Sequence, residues 1–398
     1  MKHIQYFPGL NALRFIAAYL VVLHHAESVK LGRGFFHLHD YTLFSLGGLS
    51  VTFFFVLSGF LISYLLFKEL EKKNDVSVRK FYMRRVLRIW PLYFLMVLTG
   101  LVIVPTALTM LGADYQLPYD PGEVAWMYVL FLPFAVNALF GHTILYPLWS
   151  IGVEEVFYIT WAPIVKFFSK YLINIFIGII IIRLSLDYYF TFIDPTHPFV
   201  ASLVRQLQID AMAFGGLGAY FIYHTQKSIS SMQLFTKKWQ LILFAVIVVR
   251  CTCHNFLMND TSVGGFIYQV FFATPVFSSL FTYFLFLWMI INVSLNVKTL
   301  FRLEHPIMNK LGDISYGIYM YHLTIVFAIV FVLGDFLAGL PTAVGFILYH
   351  LMVIVSVISV SYLSKTYFED QFLKLKGKFS FDKHDEKKAT VNAAKQSM

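Results

Sequence analysis

Apolar residues recur along this chain in eleven long blocks, at approximately 9–26, 44–67, 90–111, 124–140, 149–168, 171–193, 202–223, 239–258, 268–293, 313–334 and 342–364. A helix needs about 20 mostly apolar residues to cross a hydrocarbon layer of roughly 30 Å, and each block comes near that length. The pattern predicts an all-α polytopic membrane protein, because a helix satisfies its own backbone hydrogen bonds in lipid.

The charges between blocks decide how many of them cross. Residues 68–88 carry Lys68, Lys72, Lys73, Arg79, Lys80, Arg84, Arg85 and Arg88, and loops retaining Lys and Arg stay in the cytoplasm. The C-terminal tail, with Lys374, Lys376, Lys378, Lys383, Lys387, Lys388 and Lys395, belongs on the same side, so the number of crossings is even. Residues 112–123 hold Asp114, Asp120 and Glu123 without a Lys or Arg and fit the outside. If 124–140, interrupted by Pro133, dips in and returns, Lys166/Lys170, Lys227/Lys237/Lys238 and Lys298/Arg302/Lys310 fall inside. The segments 194–200, 259–267 and 335–341 then fall outside. The expectation is about ten transmembrane helices plus one re-entrant or interfacial segment, with both termini cytoplasmic. Lys30 and Arg33, in the first outer loop, are an exception set against Glu27 and Asp40. Residues 1–375 read as one membrane domain and 376–398 as a basic, disordered tail, with no internal repeat.

Composition narrows the class. Of 398 residues 58% are hydrophobic and 13% charged, against about 25% charged in a soluble domain, which excludes an ordinary cytosolic protein. The net charge of +9 does not imply a nucleic-acid partner, since no basic stretch carries a recognition motif and the basic residues cluster between apolar blocks. Cys251 and Cys253, both within an apolar block, cannot supply a disulfide framework or a four-thiol zinc site. No metal is expected. Met1–Pro8 is short and polar, and the block that follows contains Arg14 without a small-residue cleavage pattern, so the first helix is expected to be retained.

Ionisable residues in a membrane cost about 2.5–3.5 kcal/mol each on insertion scales and need a partner, a wet cavity or a task. Arg14 and His25 are eleven positions apart, about 20° from the same face and about 16 Å apart along a helix. They share one stripe, Arg14 toward the inner half and His25 toward the outer, which reads equally as a functional seam or a packing pair. His24 points elsewhere and reads as structural. Trp149–Tyr158 begins at the outer face with Glu154 and Glu155. Either carboxylate could orient and charge-stabilise a histidine, or cap a helix end.

Phe81–Pro91 reads as a basic first turn entering the third crossing. Arg85 and Arg88 are three apart and Arg84 and Arg88 four apart, so their forks can converge on a phosphorylated, nucleotide-like ligand. Anchoring at the inner surface predicts the same arginines. Ser315, Tyr319 and His322 follow i, i+4, i+7 along one face, a polar stripe serving a substrate or interhelical hydrogen bonds. Ser58-Gly59 looks like close helix packing, with no base near Ser58 in sequence. Arg183/Asp187 reads as a structural ion pair, and Asp210 as a lumen contact or a helix clamp.

In this order, the motifs resemble the acyltransferase family 3 membrane enzymes, which modify surface saccharides and other hydroxylated acceptors with acetyl or related groups. The resemblance spans nearly the whole chain and rests on Gly9-Leu10-Asn11-Ala12-Leu13-Arg14 with His25, Phe54–Phe60, Arg85-x-x-Arg88 before Pro91, Trp149–Tyr158, Gln208-Ile209-Asp210 with Gly215, and Gly312–His322. It implies a catalytic role for His25, support from Arg14 and acyl-CoA contact near Arg85 and Arg88. Glu154 occupies the position of the family's recurring carboxylate. Three departures bear on acceptor contacts more than on the core chemistry. Pro147 stands two before Trp149 where members often have His, Val156 replaces a common Gln, and Gln371 follows Glu369-Asp370 where Pro is frequent.

The expected activity is a membrane O-acyltransferase, most simply an acetyltransferase of the cell membrane. The co-substrate is cytoplasmic acetyl-CoA or another acyl-CoA, with no permanently bound cofactor, and the acceptor is a saccharide or lipid-linked glycan. His25, Arg14 and Glu154 are the expected catalytic residues, and Arg85, Arg88 and Arg84 the acyl-CoA contacts. Tyr158, Ser315, Tyr319, His322 and Asp210 are expected to line the acceptor path or channel. Some family members carry a fused extracytoplasmic domain; this chain is expected to act alone or to hand its acyl group to a separate extracytoplasmic partner. The competing class is a transporter or flippase of polysaccharide intermediates, and a third is a scaffold subunit, which leaves the ordered polar stripes unexplained.

Overall fold

A computed structural model describes residues 6–113, 115–225 and 228–379. Among these residues all regular structure is helical. Helix α1 (Leu10–Gly32) is followed by α2 (Gly47–Lys73) and α3 (Val78–Leu98), which runs through a wide turn at Thr99–Ile103 into α4 (Val104–Met110). Then come α5 (Pro121–Val129), α6 (Pro133–Phe140), α7 (Leu148–Phe167), α8 (Leu172–Tyr188), α9 (Pro198–Gln206) and α10 (Ile209–His224). The last third holds α11 (Lys237–Thr252), α12 (His254–Met258), α13 (Val263–Phe272), α14 (Pro275–Leu295) and α15 (Pro306–Asp313). It continues through α16 (Ser315–Ala338), α17 (Thr342–Ser364) and α18 (Asp370–Leu373) to a final turn at Lys374–Phe379.

Among the described residues seven helical segments are long and apolar enough to cross a membrane: those starting at Leu10, Gly47, Val78, Ser169, Pro275, Ser315 and Thr342. Their outward faces expose Ile181, Ile182, Val332, Ile347 and Leu351, an apolar surface suited to lipid and not to water. The molecule is therefore a multi-pass, all-helical membrane protein. Three further expected blocks coincide with α7, α10 and α11, which are shorter or more polar.

Block 124–140 forms two short helices, α5 and α6, each about 12–14 Å long at 1.5 Å per residue. Asp120 accepts from the Gly122 N–H at 2.6 Å to start α5, and Phe131 breaks the chain with φ 59°. Gly152 on α7 makes room for this break: a Cβ there would stand 2.6 Å from the Phe131 carbonyl oxygen. Block 202–223 is likewise divided, at Leu207–Gln208.

Helix α1 outruns its expected end at residue 26, and this corrects the placement of Lys30 in a loop. Lys30 lies in the last turn of α1, its Nζ 2.7 Å from Glu27 Oε1, while His350 Nε2 on α17 meets the same oxygen at 2.7 Å. The charge is neutralised inside the helix bundle. The boundary expected at residue 375 falls within the Lys374–Phe379 turn; residues 380–398, with Asp114 and Lys227, lie outside the described residues.

Helix α1 sits between two packing units. Leu10, Leu13, Ala17 and Val21 join the large core shared with α2, α7, α10 and α14, whereas Ala18, Val22 and Ala26 pack on α16 and α17. Helices α2 and α10 approach most closely, with Gly59 against the Met212 carbonyl and Gly215 against that of Val56, where any Cβ would overlap. This close seam confirms the packing read from Ser58-Gly59 and sets Ser58 beside the site.

Candidate functional site

A cavity of about 350 Å³ opens between α1, α2, α3, α7 and α16. At one end it is lined by Arg14, Arg85 and Arg88, together with Lys376 from the final turn. Ser58, Glu154 and Tyr158 form a polar collar above them, and Ser150, Ser315 and Tyr319 complete the wall. Four cationic side chains thus face a cavity whose described lining holds one carboxylate, Glu154. That excess of positive charge favours an anionic ligand.

Glu154 is held from two helices: Ser58 Oγ donates to Oε1 at 2.7 Å, and the Tyr158 hydroxyl, one turn along α7, donates to Oε2 at 2.8 Å. The Arg85 guanidinium stacks over the rings of Tyr158 (5.6 Å) and Phe81 (5.8 Å), and its buried Nε has no hydrogen-bond partner in the protein. Such a group gains most from a ligand that supplies an acceptor. Ser315, at the start of α16, donates to the Gly312 carbonyl at 2.7 Å.

At the other end of the cavity Ser150 Oγ and the Tyr319 hydroxyl are 2.7 Å apart, and Tyr319 also donates to the Pro147 carbonyl at 3.0 Å. One turn further along α16 lies His322. Its Nδ1 is 2.6 Å from the Tyr319 carbonyl oxygen and its Nε2 is 3.0 Å from His25 Nδ1. His25 Nδ1 also lies 3.2 Å from the Val21 carbonyl oxygen. The His25 ring is flanked by those of His24 (5.1 Å) and Tyr146 (5.9 Å), and Tyr146 packs at a tilt against His142, ring centroids 4.1 Å apart.

The structure thus brings Arg14, Arg85, Arg88, Glu154, Tyr158, Ser315 and Tyr319 onto one cavity, with the His25–His322 pair one helical turn beyond Tyr319. Four expectations are corrected. Glu154 does not orient His25: it lies six residues into α7, about 9 Å below the helix start, and bonds Ser58 and Tyr158 instead. His322, read as channel lining, is the partner of His25.

Asp210 does not line the cavity. It clamps helices, 3.4 Å from Arg183 and accepting from the Tyr283 hydroxyl at 2.9 Å, while Arg183 also pairs with Asp187 at 3.2 Å as expected. Arg84 points away: it donates to the Phe379 carbonyl at 2.9 Å and to Glu69 at 3.3 Å. Helix α3 begins at Val78, so these arginines lie in its second and third turns and not in a first turn, and the buried Glu69 carboxylate on α2 holds Arg84 away from the cavity. Ser58, Ser150 and Lys376 were missed as site residues. Ser58 carried a signal in its Phe-rich motif, whereas nothing local marks Lys376 among the other tail lysines.

A family model described as an acyltransferase domain matches residues 7–364. A protein of Staphylococcus aureus strain MRSA252 named "Putative O-acetyltransferase SAR0937" is 25% identical over 96% of this chain and 60% of its own length. A namesake from strain COL, SACOL0978, is 30% identical over 49% of this chain and 32% of its own. The peptidoglycan O-acetyltransferase OatA of Listeria monocytogenes is 27% identical over 43% of this chain and 26% of its own. The chain spans at most 60% of the length of these relatives. No solved structure matches it. With residues 7–364, nine-tenths of its length, matched by that model, the chain belongs to acyltransferase family 3.

Proposed function

We propose that this protein is an integral membrane O-acyltransferase of the cell membrane. It moves an acetyl or other short acyl group from cytoplasmic acyl-CoA to a hydroxyl of a saccharide or lipid-linked glycan bound for the cell surface. In this reading the chain crosses ten times with both termini inside, so the Arg14–Arg85–Arg88 end of the cavity opens to the cytoplasm. The observation that carries the reading is the cavity, which runs from that cationic cluster to Ser150 and Tyr319, one turn short of His322 and His25.

The dimensions agree with this donor. Arg14 and His25 are about 16 Å apart along α1, and an extended pantetheine arm spans roughly 18 Å at ordinary bond lengths. Phosphates on Arg85 and Arg88 would leave the thioester near His25. The polar collar of Ser58, Glu154 and Tyr158 would flank the arm's two amides.

The chemistry follows from His25 Nε2, which makes no hydrogen bond to the described residues. It takes the proton of the acceptor hydroxyl as that oxygen attacks the thioester carbonyl. The carbon–sulfur bond then breaks, an ester forms, and the departing thiolate takes the proton back to leave as free CoA thiol. A covalent relay through the enzyme would need one more such exchange. The test is purified protein in vesicles with acetyl-labelled CoA and a saccharide acceptor. Wild type should release CoA thiol and place the label in a base-labile ester, and His25→Ala should do neither while remaining inserted. Movement of a glycan across the vesicle without thioester cleavage would favour a carrier and overturn the reading.

A further inference from the structure

We propose that His322 is a positioning residue that fixes the tautomer of His25, so that Nδ1 carries the hydrogen and Nε2 presents its lone pair to the substrate. The inference rests on His25 being the base of the proposed transfer, but its geometry is independent of which donor or acceptor is used.

Three contacts fix the ring hydrogens. The Tyr319 carbonyl can only accept, so the hydrogen in its 2.6 Å contact belongs to His322 Nδ1. A neutral imidazole with a hydrogen on Nδ1 has a bare Nε2, which must accept in its 3.0 Å contact with His25. His25 Nδ1 is therefore the donor. The Val21 carbonyl, 3.2 Å from the same atom and also only an acceptor, asks for the same hydrogen. Two acceptors from two helices thus agree on one tautomer. The residues flanking His25 add no competing carboxylate: His24 Nδ1 is engaged with the Phe44 carbonyl at 3.0 Å, and Tyr146 meets His25 by its ring.

A histidine in the place usually taken by a carboxylate has a distinct consequence. A carboxylate both selects the tautomer and stabilises the imidazolium. Neutral His322 does the first and adds only a dipole toward the second. Its loss should therefore lower kcat without changing how acyl-CoA binds, because the cationic cluster lies at the opposite end of the cavity.

The experiment uses full-length protein reconstituted in lipid, with wild type, His322→Leu and His322→Gln. Leu fills the space but accepts nothing; Gln can place its amide oxygen where Nε2 stood and accept from His25. In steady-state assays with acetyl-CoA and a saccharide acceptor, kcat should fall about 10- to 100-fold in the Leu variant, the Val21 carbonyl retaining part of the bias. It should return to within about threefold of wild type in the Gln variant, and KM for acetyl-CoA should stay within about twofold in both. Nitrogen-15 spectra of the resting protein, labelled at histidine, should show His25 with Nδ1 protonated and Nε2 bare in wild type and the Gln variant. The Leu variant should show a mixture. Gln as slow as Leu, full kcat in Leu, or a wild-type His25 protonated on Nε2 would each overturn the proposal. If acetyl-CoA is not consumed while the spectra behave as stated, the proposed reaction falls and the tautomer assignment stands. If the Leu variant does not fold, His322→Ala takes its place, with the same mixture and the same loss of kcat expected and the same contrary results overturning the proposal.

Discussion

Arg84 and Arg85 are adjacent in sequence, yet one holds the fold and the other faces the cavity. Arg85 carries an unpartnered Nε over the ring of Tyr158, so Arg85→Ala should raise KM for acyl-CoA about 10- to 100-fold. That is the worth of a charge-assisted hydrogen bond of about 1.5–3 kcal/mol, and steady-state kinetics would check it. Arg84→Ala should leave that KM near wild type. It strips a cation from Glu69, which is buried and otherwise accepts from the Ser77 N–H at 3.0 Å. A loss of about 3 kcal/mol or more is expected on uncovering a buried carboxylate, read as a lower thermal midpoint in detergent. Sequence spacing could group the arginines but could not show that Glu69, fifteen positions away on α2, holds Arg84. The same limit misassigned Glu154. Its residue type and motif marked it as part of the site, but its contact with Ser58 joins residues 96 positions apart, and no spacing within α7 shows it. The His25–His322 contact joins residues 297 positions apart, and periodicity within either helix says nothing about the other.

Among the elements, the apolar blocks were legible because lipid demands long helices, and each block is mostly helical in the structure, with 124–140, 202–223, 239–258 and 268–293 each divided in two. Breaks inside blocks were less legible: Pro133 announced the division at Phe131, whereas nothing as plain marks Leu207–Gln208. The α2–α10 seam was half legible, since Gly59 and Gly215 could be seen but not their pairing. Gly59→Leu should abolish the folded protein, because its side chain would displace the Met212 backbone. Gly178→Ala, on α8 with open space around it, should be tolerated. Size-exclusion profiles of the two variants would check the contrast. Between α2 and α3, Lys166 Nζ on α7 lies 2.9 Å from Asp75 Oδ1 and holds that carboxyl below the usual carboxylate range. A depressed pKa contributes stability above the ordinary carboxylate value and loses it as pH falls through the lowered one. Asp75→Asn should therefore weaken the protein slightly at neutral pH and not at all in strong acid, by thermal melts across pH.

Across the whole molecule, the proposed reaction follows one seam through a helical wall: a cationic mouth, a collar on Glu154 and a histidine pair at the far end. Its orientation has a direct consequence. With Cys251 and Cys253 changed to Ser, Asn74→Cys should be shielded from an impermeant maleimide applied outside cells, and Gly339→Cys should be labelled; the reverse pattern would invert the topology. The decisive measurement is a structure of the protein in lipid with a non-cleavable thioether analogue of acetyl-CoA. The proposed transfer requires phosphates against Arg85 and Arg88, the arm passing Glu154, and the sulfur within about 4 Å of His25 Nε2. An analogue bound elsewhere, or one whose sulfur stops at Ser58 with the passage to His25 closed, would contradict it.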